Sequence, residues 1–259
     1  MYIYRYRGIV FRNKSFYYMI MIKAITFDLW NTLFENISYS DIRLNMISDT
    51  VRKRDANLSF DKIKESYESN FLFLVPEQKI NNFHHIYTES RFLNLLNDLN
   101  VKMSNIEIKN IVGKLENIML NNPPPLKPNV KKTLELLDPH YKIGLISDTG
   151  ITPGRILKHA LEHHKILQFF DTLIFSDEIG VYKPHPLPFQ TALNNLAVSA
   201  EISIHIGDLI DTDIVGAKNY NMRVIWVNND EPNIKFLKIK PDFIIKDIYE
   251  TVGIIAQIP

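Results

Sequence analysis

The sequence predicts an α/β fold, a doubly wound parallel sheet interrupted by an all-helical insertion. Short apolar runs that end in an acid or a hydroxyl recur along the chain, and helical stretches separate them. Between about residues 40 and 120 the strands disappear and helix follows helix. Strand and helix in alternation imply right-handed βαβ units, which a parallel sheet with helices on both faces accommodates.

The first run is IKAITFD, from Ile22. YKIGLISD, TLIFSDE, ISIHIGD and RVIWVN repeat its form at Tyr141, Thr172, Ile202 and Arg223, and PDFIIKD from Pro241 is a weaker sixth copy. Continuous rather than alternating apolar runs of this length suit strands buried on both faces. NVKKTLELL, PGRILKHALEHH, HPLPFQTALNNLA and TDIVGAKNY read as the intervening helices. DIRLNMISDTVRKR, SFDKIKESYESNFLFL, TESRFLNLLNDL and SNIEIKNIVGKLENIML form the helical block, which closes at NNPPPLKPNV. Proline at that density cannot continue a helix and makes a stiff connector. The expected organisation is a Rossmann-like α/β core of residues 21–38 and 122–259 and a helical cap of residues 39–121. Residues 1–20, aromatic and basic, read as a poorly ordered extension or as translation from an upstream start, with Met21 as the natural beginning.

A chain of 259 residues with 46% hydrophobic and 23% charged residues and a net charge of +1 has no global pull toward nucleic acid or an anionic membrane. The absence of cysteine excludes disulfides, thiolate metal sites and a cysteine nucleophile, and fits a reducing cytoplasm. No window approaches the roughly 18 apolar residues that span a bilayer. A small-molecule substrate is the expected partner.

In an open α/β sheet the ligand crevice lies beyond the carboxyl ends of the strands. Asp28, Ser147-Asp148, Ser176-Asp177 and Gly207-Asp208 all stand at such ends. Converging carboxylates are costly unless a cation neutralises them, and an oxygen-only donor set favours a hard ion such as Mg²⁺. Asp208 and Asp213, with Asp211 between them, can bring such donors near Asp28.

TFDLWNTLF, LISDTG, VYKPHP and IGDLIDTDIVGAKN, in that order, resemble the four motifs of the haloacid dehalogenase superfamily of hydrolases. The resemblance runs from about Ile22 to the end, and each motif gains its weight from the order of all four. It implies a Rossmann-like core with Asp28 on the central strand as the nucleophile of a covalent aspartyl intermediate. It implies Ser147 as the hydroxyl that hydrogen-bonds the phosphoryl group, and Lys183 as the ammonium that holds Asp28 and phosphoryl oxygens against mutual repulsion. Asp208 and Asp213, with Asp28 and the backbone oxygen of Trp30, become the Mg²⁺ ligands.

A carboxylate suits the nucleophile's role because its low pKa keeps it charged at neutral pH without a base. Thr32 and the turn Trp30-Asn31 are placed to bind the carboxylate or the phosphoryl oxygens. Asp148 and Thr149 lead toward a helix start, with Thr152 as its cap and Pro153 in its first turn. Gly207 lets the backbone come close to the ion, and Asp211 reads as a supporting residue or a cap. His185 and the adjacent His84 and His85 read as structural.

One departure matters. Phosphatases of this superfamily carry a second Asp two residues after the nucleophile, which protonates the leaving alcohol; here that position is Trp30. Three readings follow: a phosphatase with a good leaving group or another acid, a 2-haloacid dehalogenase, whose halide leaves without a proton, and a catalytically weak binding protein. The dehalogenases need no metal and usually lack the acidic fourth motif, which is intact here, so a phosphatase of a small phosphorylated metabolite is the favoured expectation.

Overall fold

The computed structural model of the chain describes residues 21–72, 82–228 and 238–258, together with a two-residue antiparallel pair, Arg5–Tyr6 with Ile9–Val10. Beyond that pair, the expected extension over residues 1–20 lies outside the described residues.

All six apolar runs are strands: β1 (Ala24–Phe27), β2 (Lys142–Ser147), β3 (Thr172–Phe175), β4 (Ser203–Gly207), β5 (Arg223–Val227) and β6 (Phe243–Ile245). They form one parallel sheet in the order β3-β2-β1-β4-β5-β6, so the chain reverses direction across the sheet between β2 and β4, with β1 at the switch. Every residue of β1 and of β4 is buried, as continuous apolar runs require of central strands.

Helices cover both faces. On one, α5 (Val130–Leu137), α6 (Gly154–His163) and α10 (Glu250–Gln257) join Phe27, Leu145 and Ile225 in the larger apolar cluster. On the other, α8 (Pro186–Leu196) and the short α9 (Val215–Asn219) close over Ile146, Ile174 and Val224 through Phe189 and Ala217. A single turn, α7 (Ser176–Ile179), follows β3. Fully burying each such large apolar side chain is worth about 1.5–3 kcal/mol, so this packing fixes where the strand ends lie.

Residues 40–121 contain α1 (Ser40–Arg52), α2 (Phe60–Tyr67) with a π turn (Glu68–Leu72), α3 (Thr88–Asp98) and α4 (Asn105–Asn117). Their apolar faces enclose a separate cluster that includes Ile47, Tyr67, Phe92 and Leu115. Ser104 and Glu107 start α4 with reciprocal hydrogen bonds that satisfy two otherwise orphaned backbone donors. The two connecting segments run side by side: Glu35 N–H donates to Pro125 O at 2.9 Å and Lys127 N–H to Leu33 O at 2.9 Å. At its other end the helical segment pairs with the loop before Lys183, through Tyr182 N–H to Phe83 O (2.7 Å) and His85 N–H to Gly180 O (2.8 Å). Among the described residues no helix is long and apolar enough to cross a membrane.

Candidate active site

The register of the sheet gathers the acidic strand ends. Phe27 pairs with Leu145 on one side and Ile206 on the other, so Asp28 emerges between the ends of β2 and β4, its N–H bonded to Ile206 O at 2.8 Å. Lys183 follows the turn at Gly180 and is 2% exposed. Its Nζ donates to Asp28 Oδ1 (2.6 Å), Asp213 Oδ1 (2.6 Å) and Ile146 O (3.0 Å), which uses all three protons of the ammonium. Its backbone N–H donates to Asp148 Oδ1 at 2.9 Å, so the lysine is held at both ends.

Asp213 lies in the π turn Ile210–Ile214 after β4. Its Oδ2 accepts from Leu209 N–H at 3.0 Å, and its Oδ1 lies 3.3 Å from His205 Nε2. His205 in turn reaches Thr26 on β1, Nδ1 to Oγ1 at 2.9 Å. Gly207 leaves room for Asp213: a Cβ there would stand 2.4 Å from Asp213 Cγ. Asp208 is half-buried, and its carbonyl accepts from Trp226 Nε1 on β5 at 2.8 Å.

The charges are strongly coupled. Burial alone would lower Lys183, but Asp213, Asp28 and Asp148 overcome it and hold the ammonium well above its ordinary pKa. Burial would raise Asp213, yet Lys183 and His205 overcome it and keep that carboxyl well below the usual range. Asp28 is pushed up by burial, with Lys183 pulling it back and Asp213 and Asp208 adding to the rise. Burial first, then Asp213, brings Asp208 to about 6; Asp148 also reaches about 6, through burial that Lys183 only partly offsets. Carboxylate oxygens of Asp28, Asp208 and Asp213 lie within 4.8 Å of one another. Three hard oxygen donors with one ammonium among them could hold a small divalent cation.

A cavity of about 330 Å³ opens over this cluster, lined by Asp28, Trp30, Asn31, Asp148, Lys183 and Asp208 from the sheet side, and by Tyr39 and Arg43 from the helical side. Ser147 ends β2 beside Asp28, but its buried Oγ has no hydrogen-bond partner among the described residues and does not line the cavity. Thr32 and Thr149 do not line it either. Thr32 is fully buried beside a second cavity shared with Lys127 and Asp247. Thr149 Oγ1 donates to Asp177 at 2.9 Å. Thr152 does not cap the next helix: α6 starts at Gly154, whose N–H donates to the Asp177 carboxylate at 3.0 and 3.2 Å, while Thr152 Oγ1 accepts from Arg43 Nη2 at 2.8 Å. His185 caps α8 through Nδ1, and His85 Nδ1 meets Ser176 Oγ at 3.1 Å.

Sequence reasoning passed over His205 and Arg43. A histidine in the middle of the apolar run ISIHIGD was a readable signal. Arg43 had none, because its partner Thr152 is 109 residues away.

The sequence profile of the haloacid dehalogenase-like hydrolases matches residues 46–227. A glyceraldehyde 3-phosphate phosphatase of Pyrococcus abyssi is 32% identical over 215 residues, covering 80% of this chain and 81% of that protein. One of the same name from Methanocaldococcus jannaschii is 26% identical over 238 residues, or 92% and 99% of the two chains. Among solved structures, a HAD phosphatase from Thermococcus onnurineus shares the fold at 21% identity and a TM-score of 0.60, covering 90% of this chain and 97% of its own. A 2-haloacid dehalogenase from Pseudomonas syringae does so at 22% identity and 0.61, covering 92% and 99%. With two thirds of the chain matched by one family's profile, and the parallel sheet and acidic strand ends in place, the chain belongs to the haloacid dehalogenase-like hydrolases.

Proposed function

We propose that the protein is a Mg²⁺-dependent phosphatase of small phosphorylated metabolites, with Asp28 as nucleophile and residues 39–121 as a cap over the site. The observation that carries this reading is the convergence of Asp28, Asp208 and Asp213 around Lys183, a donor set that fits a hard divalent cation. Mg²⁺, held by those three carboxylates and the carbonyl of Trp30, would neutralise phosphoryl charge and draw the two anions together.

In this reading Asp28 attacks phosphorus with the oxygen that Lys183 does not hold. The P–O bond to the alcohol breaks, and an aspartyl phosphate forms. Lys183 stays against Asp28 Oδ1 and Asp213, and so offsets negative charge that the reaction concentrates there. Asn31 and Asp148, which line the cavity, shape the phosphoryl pocket. Water then cleaves the acyl phosphate and releases inorganic phosphate. The departing alkoxide takes its proton from a group other than Trp30, whose indole cannot supply one at neutral pH. The curated relatives named above are phosphatases, which favours the same chemistry. A cytoplasmic site of action fits the cysteine-free sequence.

A second reading, 2-haloacid dehalogenase, is favoured by one observation: an aromatic ring, Trp30, lines the cavity where the proton donor would stand. One assay pair separates them. Phosphate release from a panel of small phosphate esters with Mg²⁺ is the expected result; halide release from 2-chloropropionate in EDTA, with no phosphate release, would replace the phosphatase reading.

A further inference from the structure

The cavity has two electrically different ends. At one, three acidic side chains, Asp28, Asp148 and Asp208, gather with Lys183. At the other stands Arg43, on the first helix of the helical segment, 7% exposed and among the cavity's lining residues. Its Nη2 donates to Thr152 Oγ1 at 2.8 Å and its Nε to Leu115 O at 3.4 Å, and its guanidinium lies 5.5 Å from the centre of the Tyr39 ring. These partners are neutral. Among the described residues no carboxylate lies within 4.0 Å of Arg43, although Asp28, Asp148 and Asp208 line the same cavity.

A buried cation without a counter-ion is costly, and arginine cannot escape the cost by losing its proton. Hydroxyl and carbonyl partners fix the guanidinium in place but leave its charge uncompensated. Its remaining N–H groups form a planar fork that matches a carboxylate or phosphate.

We propose that Arg43 is a specificity-determining residue that binds a second anionic group of the substrate, a carboxylate or a further phosphate, while the scissile phosphoryl group sits over Asp28. The proposal rests on the phosphatase reading for the position of that phosphoryl end. A cavity of about 330 Å³ is at the small end of ligand sites, which suits a metabolite of a few carbons carrying charge at both ends.

Non-hydrolysable phosphonates test this on the intact protein with Mg²⁺, independently of turnover. By calorimetry, 3-phosphonopropionate or methylenediphosphonate should bind roughly ten- to a hundredfold more tightly than the singly charged-end propylphosphonate, the range expected of a charge-assisted contact. Whichever of the two doubly anionic probes shows the preference identifies the second group. Arg43→Gln should erase the preference and leave propylphosphonate binding within about threefold, as a lost uniform contact would not. Thr152→Val, which loosens the arginine but keeps its charge, should retain most of it. The proposal fails if the parent shows no preference, if Arg43→Gln weakens all the phosphonates equally, or if Thr152→Val acts as strongly as Arg43→Gln, because the arginine would then be a phosphoryl contact or a structural clamp. Absence of phosphate release from any ester, with the preference intact, would instead count against the phosphatase reading alone.

Discussion

Gly207→Ala tests the placement of Asp213 without altering any polar group of the site. The added Cβ would stand 2.4 Å from Asp213 Cγ, 2.6 Å from its Cβ and 2.7 Å from its Oδ2, whereas ordinary contact begins at 3.4 Å. The carboxyl group must therefore retreat by about 1 Å, the difference between 3.4 and 2.4 Å. The strand itself is poorly able to give way, because β4 is paired on both sides, to β1 and to β5. A retreat of that size stretches the 2.6 Å contact with Lys183 to the edge of hydrogen bonding. Losing a bond between charged groups costs about 1.5–3 kcal/mol, and a 1 Å misplacement in a catalytic constellation can cost about 10²-fold in rate. We expect an unfolding free energy from urea denaturation lowered by that amount, a weaker response to Mg²⁺ and a phosphate-release rate down about a hundredfold. Gly144→Ala serves as the control: the atoms nearest its Cβ would be methyl groups of Thr172, Thr26 and Leu196 at 3.1 to 3.3 Å, so stability should fall slightly and Mg²⁺ response stay unchanged. A Gly207→Ala protein with parental rate and parental Mg²⁺ response would show that Asp213 need not be held where the structure puts it.

Four other changes have defined outcomes. Asp28→Asn should fold and lose phosphate release, and substantial turnover in a preparation free of contaminating hydrolase would exclude Asp28 as nucleophile. Lys183→Met removes the ammonium paired with the buried carboxylates of Asp28 and Asp213 and should cost about 3–5 kcal/mol in EDTA, read from denaturant unfolding; a loss below about 1 kcal/mol would mean the acids rearrange freely. Gly113→Ala, at a helical position where the new methyl meets nothing within 4 Å, should raise stability by about 0.5–1 kcal/mol and leave activity unaltered, which thermal unfolding and the phosphate assay would check together. Trp30→Asp should raise the rate on alkyl phosphates relative to aryl phosphates by restoring a proton donor, and an unchanged ratio would show that protonation is already supplied elsewhere.

The sheet was legible because its signal is local. A run such as AITF, buried along its whole length, needs no knowledge of the rest of the chain to be read as a central strand. Asp28 and Asp208 were legible for a related reason: each directly follows a strand, and parallel strands in register bring those ends together, whereas Lys183 and Asp213, further along their loops, were legible through the order of the four motifs. Some side chains further along these loops were not legible. The turn after β1 passes through Asn31 at φ 54°, and it carries Thr32 away from the cavity that Trp30 and Asn31 line. Thr152 was a reasonable cap by local pattern, but Asp177, from the end of another strand, reaches the same N–H first. Competition between a local partner and one brought by the fold cannot be decided from spacing. Arg43 is the extreme case, since an arginine on a helix is ordinarily solvated and only the tertiary structure buries it.

The charge distribution also bears on how the proposed cation would act. Four carboxyl groups, of Asp28, Asp148, Asp208 and Asp213, surround one ammonium, and the environment does not treat them alike. Asp213 takes the strongest share of Lys183 and is held ionised, while burial pushes Asp28, Asp148 and Asp208 upward. The single lysine therefore offsets burial unevenly across the set, and the groups it compensates least include the proposed nucleophile. A divalent cation between Asp28 and Asp208 would meet that need directly, because it favours the ionised form of both. Under the proposed function the metal would do more than shield the phosphate. It would also favour the carboxylate form of Asp28, so removal of Mg²⁺ should impair attack by Asp28 even on substrates whose leaving groups need no proton.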